Sequence, residues 1–284
     1  MSTGISRECL DELLCIADSD WVLGHWYIKV MLNGRSLPDC TAFAGMGQDS
    51  LGHTRAIFRF LEDQLDLPEH QLEFGRTPEQ LHDMEVLSGP PQNWGDFLVT
   101  ALLAESAIWR LLSTFLDSQH AELAGMVKHF GKELYFHRLS LEGWIAATDE
   151  EERRDMRASL RVRAPLIASW FTEVSDPDPL LRSGVRTVSM AEAGDGFRTD
   201  VVEVLTASEI VGADELNALL TPTATDAWDT PRRKSVGAAV PATLWEFMIP
   251  TDEDTKALRR PLTVSVDDNL DLVDRAEYGH ADFA

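Results

Sequence analysis

One spacing, repeated, constrains this chain more than any other feature. Through the first 173 residues, apolar side chains recur at steps of three and four, segment after segment. That period belongs to a helix that hides one face. The first segment, 6–32, carries Leu10, Leu13, Leu14, Ala17, Trp21, Val22, Tyr27, Ile28 and Met31, and Asn33-Gly34 stops it. Pro38 and Asp39 open a second helix over 38–64, with Phe43, Met46, Ser50, His53, Ile57, Phe60 and Leu61 on its stripe. Asn93 is placed to cap a third over 94–117, striped by Phe97, Ala101, Leu102, Glu105, Ile108, Trp109, Leu112 and Phe115. A fourth runs 119–146 through Leu123, Val127, Phe130, Leu134, His137, Leu141 and Trp144. Thr148-Asp149-Glu150-Glu151 caps a fifth over 150–173.

The stretch 65–92 between the second and third helices is polar and broken by Pro68, Gly75, Pro78, Gly89, Pro90 and Pro91, with a short helix expected near 78–86. Four long helices with one long connection suit a bundle with a crossover, the connectivity of ferritin-like folds. The expected fold is all-α: a ferritin-like four-helix bundle over 1–173, with extra helices. Residues 174–284 read as a C-terminal extension. A loop is expected at 175–200, a short helix at 207–220, and an irregular tail holding a β-branched run at 262–266, loosely structured or dependent on a partner.

Composition narrows the function. Of 284 residues 44% are hydrophobic, with 8 Trp and 12 Phe, enough for a full core. Against 48 Asp and Glu stand 25 Lys and Arg, a net charge of −23. Such a surface disfavours nucleic acid, whose phosphates need a basic footprint, and anionic lipid. Only five of the basic residues are lysine (Lys29, Lys128, Lys132, Lys234 and Lys256). Two readings of that bias stand side by side: solubility in a salty cytoplasm, and a codon usage that favours Arg. Cys9, Cys15 and Cys40 form no C-x-x-C pair and read as buried apolar side chains of a reducing compartment. The opening MSTGISRECLDELL lacks a basic segment followed by an apolar one, and no uncharged apolar run approaches ~18 residues. A cytoplasmic protein without a membrane span is expected.

The chemistry is sought where the stripes meet at mid-bundle. A diiron bundle places a carboxylate on each of two helices and Glu-x-x-His on each of the other two, because two irons need several hard oxygen donors and two imidazoles. Here His53 and His137 stand at the right places, but three residues before them are Ser50 and Leu134. Each helix carries its acid four residues before the His instead, Asp49 and Glu133. That step rotates the acid by ~100° about the helix and tends to take it off the bundle axis. Glu105, apolar-flanked in LLAESAIW, faces the core, and Lys29 stands near the height where the first helix would supply an acid. A lysine bonded to Glu105, with neutral imidazoles beside it, could fill such a hollow; a lysine snorkelling from a helix edge is the plainer alternative. Each His taken alone reads as a hydrogen-bonded core histidine, and only their matched positions on two helices raise the reading of a remnant site above that.

The segments DWVLGHW (20–26), GQDSLGHTR (47–55), NWGDFLVTALLAES (93–106) and GKELYFHRLSLEGW (131–144) resemble the phenylacetic acid catabolism family, the PaaA and PaaC ferritin-like subunits of phenylacetyl-CoA epoxidase. The likeness spans roughly residues 10–172. Within that family one subunit is a diiron oxygenase with both Glu-x-x-His motifs, and the other has lost ligands and acts as a structural companion. KELYFH, with its acid at minus four, resembles the PaaC pattern, although His53 is kept. The resemblance thus implies a noncatalytic subunit with no metal of its own. Lys29, Asp49, Ser50, His53, Glu105, Glu133, Leu134 and His137 would be remnants of a degenerate site. The diiron would lie in a PaaA-like partner, in a helical heterodimer or heterotetramer served by a separate reductase. The alternative is a catalytic diiron subunit using Asp49, His53, Glu105, Glu133 and His137. A third reading is a stand-alone binding or stress protein on the same bundle.

Overall fold

The computed structural model describes residues 5–65, 67–172, 178–222 and 227–249. Its first helix explains the rest. In α1 (Arg7–Val30), capped by the Ser6 hydroxyl, every residue from Glu12 to Tyr27 is buried. A helix covered on all sides needs neighbours on all sides. It also carries three acids into the interior, where each must find a donor. Asp18 accepts a bidentate pair from Arg76 at 2.6 and 2.7 Å and the backbone N–H of His82 at 2.8 Å. Glu12 pairs with Arg186 and Arg233. Asp20 faces the bundle interior beside His53.

A single 3₁₀ turn, Met31–Asn33, leads to α2 (Leu37–Leu65), which packs along α1. The connection that follows holds α3 (Glu69–Phe74) and two more 3₁₀ turns, Pro78–Gln80 and Glu85–Leu87. Its irregular backbone is held by polar groups of α1: besides Asp18, Ser19 Oγ accepts the Met84 N–H, and the Trp26 indole donates to the Leu87 carbonyl. α4 (Trp94–Ser113) starts where expected, with the Asn93 side chain accepting the Asp96 N–H at 2.8 Å. It is buried without a break from Gly95 to Glu105. α5 (Ala121–Ala146) closes the bundle: α1 touches α2 and α4, and α5 touches the same two from the far side. The long connection between α2 and α4 supplies the ferritin-like crossover. α6 (Glu150–Ala168) begins on a capping box of Asp149 and Glu152 and packs on α4. Asp96 and Arg163 form a buried pair across that contact, and Asp96 Oδ1 also accepts from the Ser159 hydroxyl.

The fold is all-α, as the sequence implies, but its C-terminal part departs from expectation. After α7 (Pro179–Arg182), residues expected as loop form α8 (Met190–Ala207), opened by a Ser189/Glu192 capping box and packed against α4. Gly194 and Gly196, read as loop residues, lie inside it. A Cβ on Gly194 would stand 2.9 Å from Phe171, and one on Gly196 3.1 Å from Arg110, so these are close-packing glycines. α9 (Ala213–Leu219) falls within the expected 207–220. β1 (Trp228–Asp229) pairs antiparallel with β2 (Lys234–Ser235), and α10 (Ala242–Met248) follows. Met1–Met248 forms one compact unit. Glu12 ties α1 to Arg186 and Arg233, and Lys234 Nζ reaches Asp83 at 2.6 Å with both side chains fully buried. The expected run at 262–266 lies outside the described residues. Among the described residues no helix is long and apolar enough to cross a membrane.

Candidate functional site: a buried carboxylate–imidazole cluster

Four helices deliver polar side chains to the middle of the bundle. α2 contributes Asp49, Ser50 and His53; α5 contributes Glu133, Leu134 and His137; α4 contributes Glu105; α1 contributes Asp20 and Tyr27. The two imidazoles organise the rest, and each meets a carboxylate at both nitrogens. His137 Nδ1 lies 2.9 Å from Glu105 Oε1, and its Nε2 lies 3.2 Å from Asp49 Oδ2. His53 Nε2 lies 2.7 Å from Glu133 Oε2, and its Nδ1 lies 3.5 Å from Asp20 Oδ2.

The pairing is reciprocal. The acid of α2 reaches the imidazole of α5, and the acid of α5 reaches the imidazole of α2. The four-residue spacing has this consequence: it swings Asp49 and Glu133 toward the neighbouring helix, where they stay partly exposed, while both histidines are buried. Asp20 and Glu105 meet the inward nitrogens from α1 and α4. Tyr27 donates its hydroxyl to Glu105 Oε1 at 2.8 Å, so that oxygen serves two donors. Phe130 lies against the His53 ring with centroids 4.1 Å apart.

The electrostatics follow from this placement. Burial alone would lower the affinity of His137 for its proton, but Glu105 and Asp49 outweigh burial and push its pKa up to about 10. Burial opposes the proton on His53 as well, and there Asp20 and Glu133 raise the pKa above the ordinary imidazole value. His137 is therefore imidazolium at neutral pH, with both N–H groups donating, while His53 holds its proton more tightly than a free imidazole. The hydrogen bond from His137 holds Asp49 below the usual carboxylate range. Asp20 goes the other way: its burial raises its pKa more than His53 lowers it. Burial and the adjacent Glu105 carboxylate also hold Tyr27 in its neutral, donating form.

Two placements differ from the sequence reading. Lys29 is not in the hollow: it is exposed, with Nζ 5.1 Å from the centre of the Phe247 ring, and the roles imagined for it fall to Tyr27 and His137. The acid of the first helix is Asp20, which the sequence reading passed over. A signal was present, since Leu13, Ala17, Asp20, Gly24 and Tyr27 continue one stripe at steps of four, three, four and three. With Asp49, Glu105 and Glu133, which the sequence already offered, Asp20 brings to four the carboxylates that meet the two imidazoles.

Four carboxylates and two imidazoles gather at the centre, but neither helix carries Glu-x-x-His. Asp49 and Glu133 sit on the outer nitrogens, where a carboxylate orients an imidazole rather than sharing an ion with it. Ser50 and Leu134, three residues before each imidazole, bring a buried hydroxyl and an isobutyl group where bridging carboxylates would be needed. Among the described residues no group of three or more His, Cys, Asp or Glu side chains is arranged to hold a metal ion. The inward polar atoms are nevertheless not all satisfied: both Asp20 oxygens, Ser50 Oγ, His53 Nδ1 and Glu105 Oε2 are buried without a hydrogen-bond partner in the protein.

Fold and site together define a ferritin-like bundle whose centre is a network of carboxylates and imidazoles. A family model described as phenylacetic acid catabolic protein matches residues 1–218, and the chain belongs to that family. The match extends past the bundle through α8 and most of α9, in keeping with their integration into the same compact unit. None of the curated proteins matches the chain.

Proposed function

We propose that this chain is the noncatalytic, PaaC-like subunit of a multicomponent phenylacetyl-CoA epoxidase. The family places it in phenylacetic acid catabolism. The finer reading rests on one observation: carboxylates of this chain face both nitrogens of each buried imidazole, in hydrogen bonds at three of the four, with Ser50 and Leu134 three residues before the rings. The reaction, insertion of one oxygen atom into the aromatic ring, would occur in a PaaA-like diiron partner fed by a separate reductase. This chain would hold the partner's helices in place.

The outer face of α5 supports a docking role. Tyr135, Phe136 and Leu139 are 59%, 66% and 46% exposed, an apolar patch in the middle of a well-packed helix. Co-expression with a homologue carrying two intact Glu-x-x-His motifs tests the reading. The expected result is a stable complex in gel filtration, weakened by Phe136→Glu, with its iron in the partner. A chain that stays monomeric beside that homologue, or one that carries out ring oxidation alone, would overturn it.

A further inference from the structure

Among the carboxylate oxygens that the network leaves without a hydrogen-bond partner is Glu105 Oε2, and a cavity begins at that residue. A space of about 170 Å³ opens between α4, α5 and α8. Its walls are largely apolar: Leu102 and Trp109 from α4, and Leu134 and Leu141 from α5. Glu105 lines it as well, with Oε1 taken by Tyr27 and His137 and Oε2 buried without a partner. Trp109 is seated over Gly131, where a Cβ would come within 2.8 Å of the indole, so the indole wall depends on a glycine facing it. Leu134 belongs to the same wall, and it occupies the position three residues before His137. An acid there would have made this side of the bundle polar; leucine makes it a hydrophobic pocket.

We infer that this cavity is a binding site for a small, neutral, single-ring aromatic carrying one hydrogen-bond donor, with its ring between Trp109 and Leu134 and its donor on Glu105 Oε2. Size sets the ring: an apolar cavity of roughly 150 Å³ holds benzene, and this one is slightly larger. The same size excludes an acyl-CoA. The donor follows from Glu105, because a buried carboxylate oxygen without a partner is costly and any bound group that donates to it removes that cost. Neutrality follows from the charges around the site. Glu105 already faces the His137 imidazolium, and Asp200 already faces Arg110 and Arg138. A cationic ligand would lose its hydration without an unpaired anion to meet it. The inference is independent of the proposed subunit role, since it concerns only the described interior of this chain.

The test is a ¹⁹F NMR titration of the full chain with 4-fluorophenol and, in parallel, fluorobenzene. The two probes share the ring and differ in the donor. Saturable binding of the phenol is expected, at least ~10-fold tighter than that of fluorobenzene, the factor typical of a hydrogen bond to a charged acceptor. Leu134→Phe, which fills the cavity, is expected to abolish binding. Ser106→Leu narrows the same space from α4 and serves if the first variant does not fold. Equal affinity for the two probes would overturn the role of Glu105. Absence of saturable binding, or binding that survives in a folded cavity-filling variant, would overturn the site.

Discussion

At the residue scale the molecule turns on two protons. His137 holds its proton up to a pKa of about 10, against 6.5 for an unperturbed imidazole, because Glu105 and Asp49 outweigh its burial. A pKa raised in the folded state stabilises the fold fully below the unfolded value, and that stabilisation is lost as pH climbs through the folded one. The contribution is therefore complete below pH 6.5 and declines toward pH 10. Asp49, shifted downward, contributes above its unfolded value of 3.8 and loses that contribution as the medium becomes more acidic. Thermal melts from pH 6.5 to 10 should show a falling Tm, with a shallower slope in His137→Gln. Parallel slopes would mean that the imidazolium network adds nothing. A second comparison separates Tyr27 from Lys29. Tyr27→Phe removes one of the donors to a buried carboxylate and should cost about 2 kcal/mol in urea denaturation. Lys29→Met, at an exposed position, should stay within about 0.5 kcal/mol. The matched histidines and Glu105 were legible in the sequence because they sit on apolar stripes. Asp20 was equally so placed, but it hides in the acidic run Asp18-Ser19-Asp20, which reads as surface until α1 is known to be buried on every side.

At the scale of elements, the long helices could be read from spacing and caps because their local signals agree with their packing. Asn93 caps α4 as expected, and α6 begins at Glu150 with Asp149, from the expected Thr148–Glu151 run, as its cap. α8 was misread because its glycines imitate a loop. Their purpose is tertiary: Gly194 lets α8 approach Phe171, and Gly196 admits Arg110 on its way to Asp200. The Ser189-x-x-Glu192 capping box is the local signal of this helix. Gly194→Ala would gain helix propensity on a surface, yet here its methyl would meet Phe171. The expected result is a loss of about 1–3 kcal/mol, measured by chemical denaturation. A gain in stability would show that the α8 contact is looser than described.

At the scale of the whole molecule, stability depends on buried charges that join distant parts of the chain. The Lys234–Asp83 pair and the Glu12–Arg186–Arg233 cluster connect the C-terminal hairpin and the α7 region to the crossover and α1. None of these partnerships could be read from the sequence, because nothing local in PRRKS or LHDME reports a partner some 150 residues away. Removing one member should do more damage than removing both. Lys234→Met leaves the fully buried Asp83 without its cation and should cost about 3–5 kcal/mol. The double variant Lys234→Met/Asp83→Leu should recover much of that loss. Unfolding midpoints of the two variants decide the point, and equal losses would show that the pair is not coupled.

The central proposal is that the acids of α2 and α5 orient imidazoles rather than bridge a pair of metal ions. Anaerobic addition of ferrous ion to the purified chain, followed by desalting and iron determination, tests this most directly. Well under one iron per chain is expected, with no difference between the wild-type protein and His53→Ala. Close to two irons per chain, lost in His53→Ala, would contradict the claim.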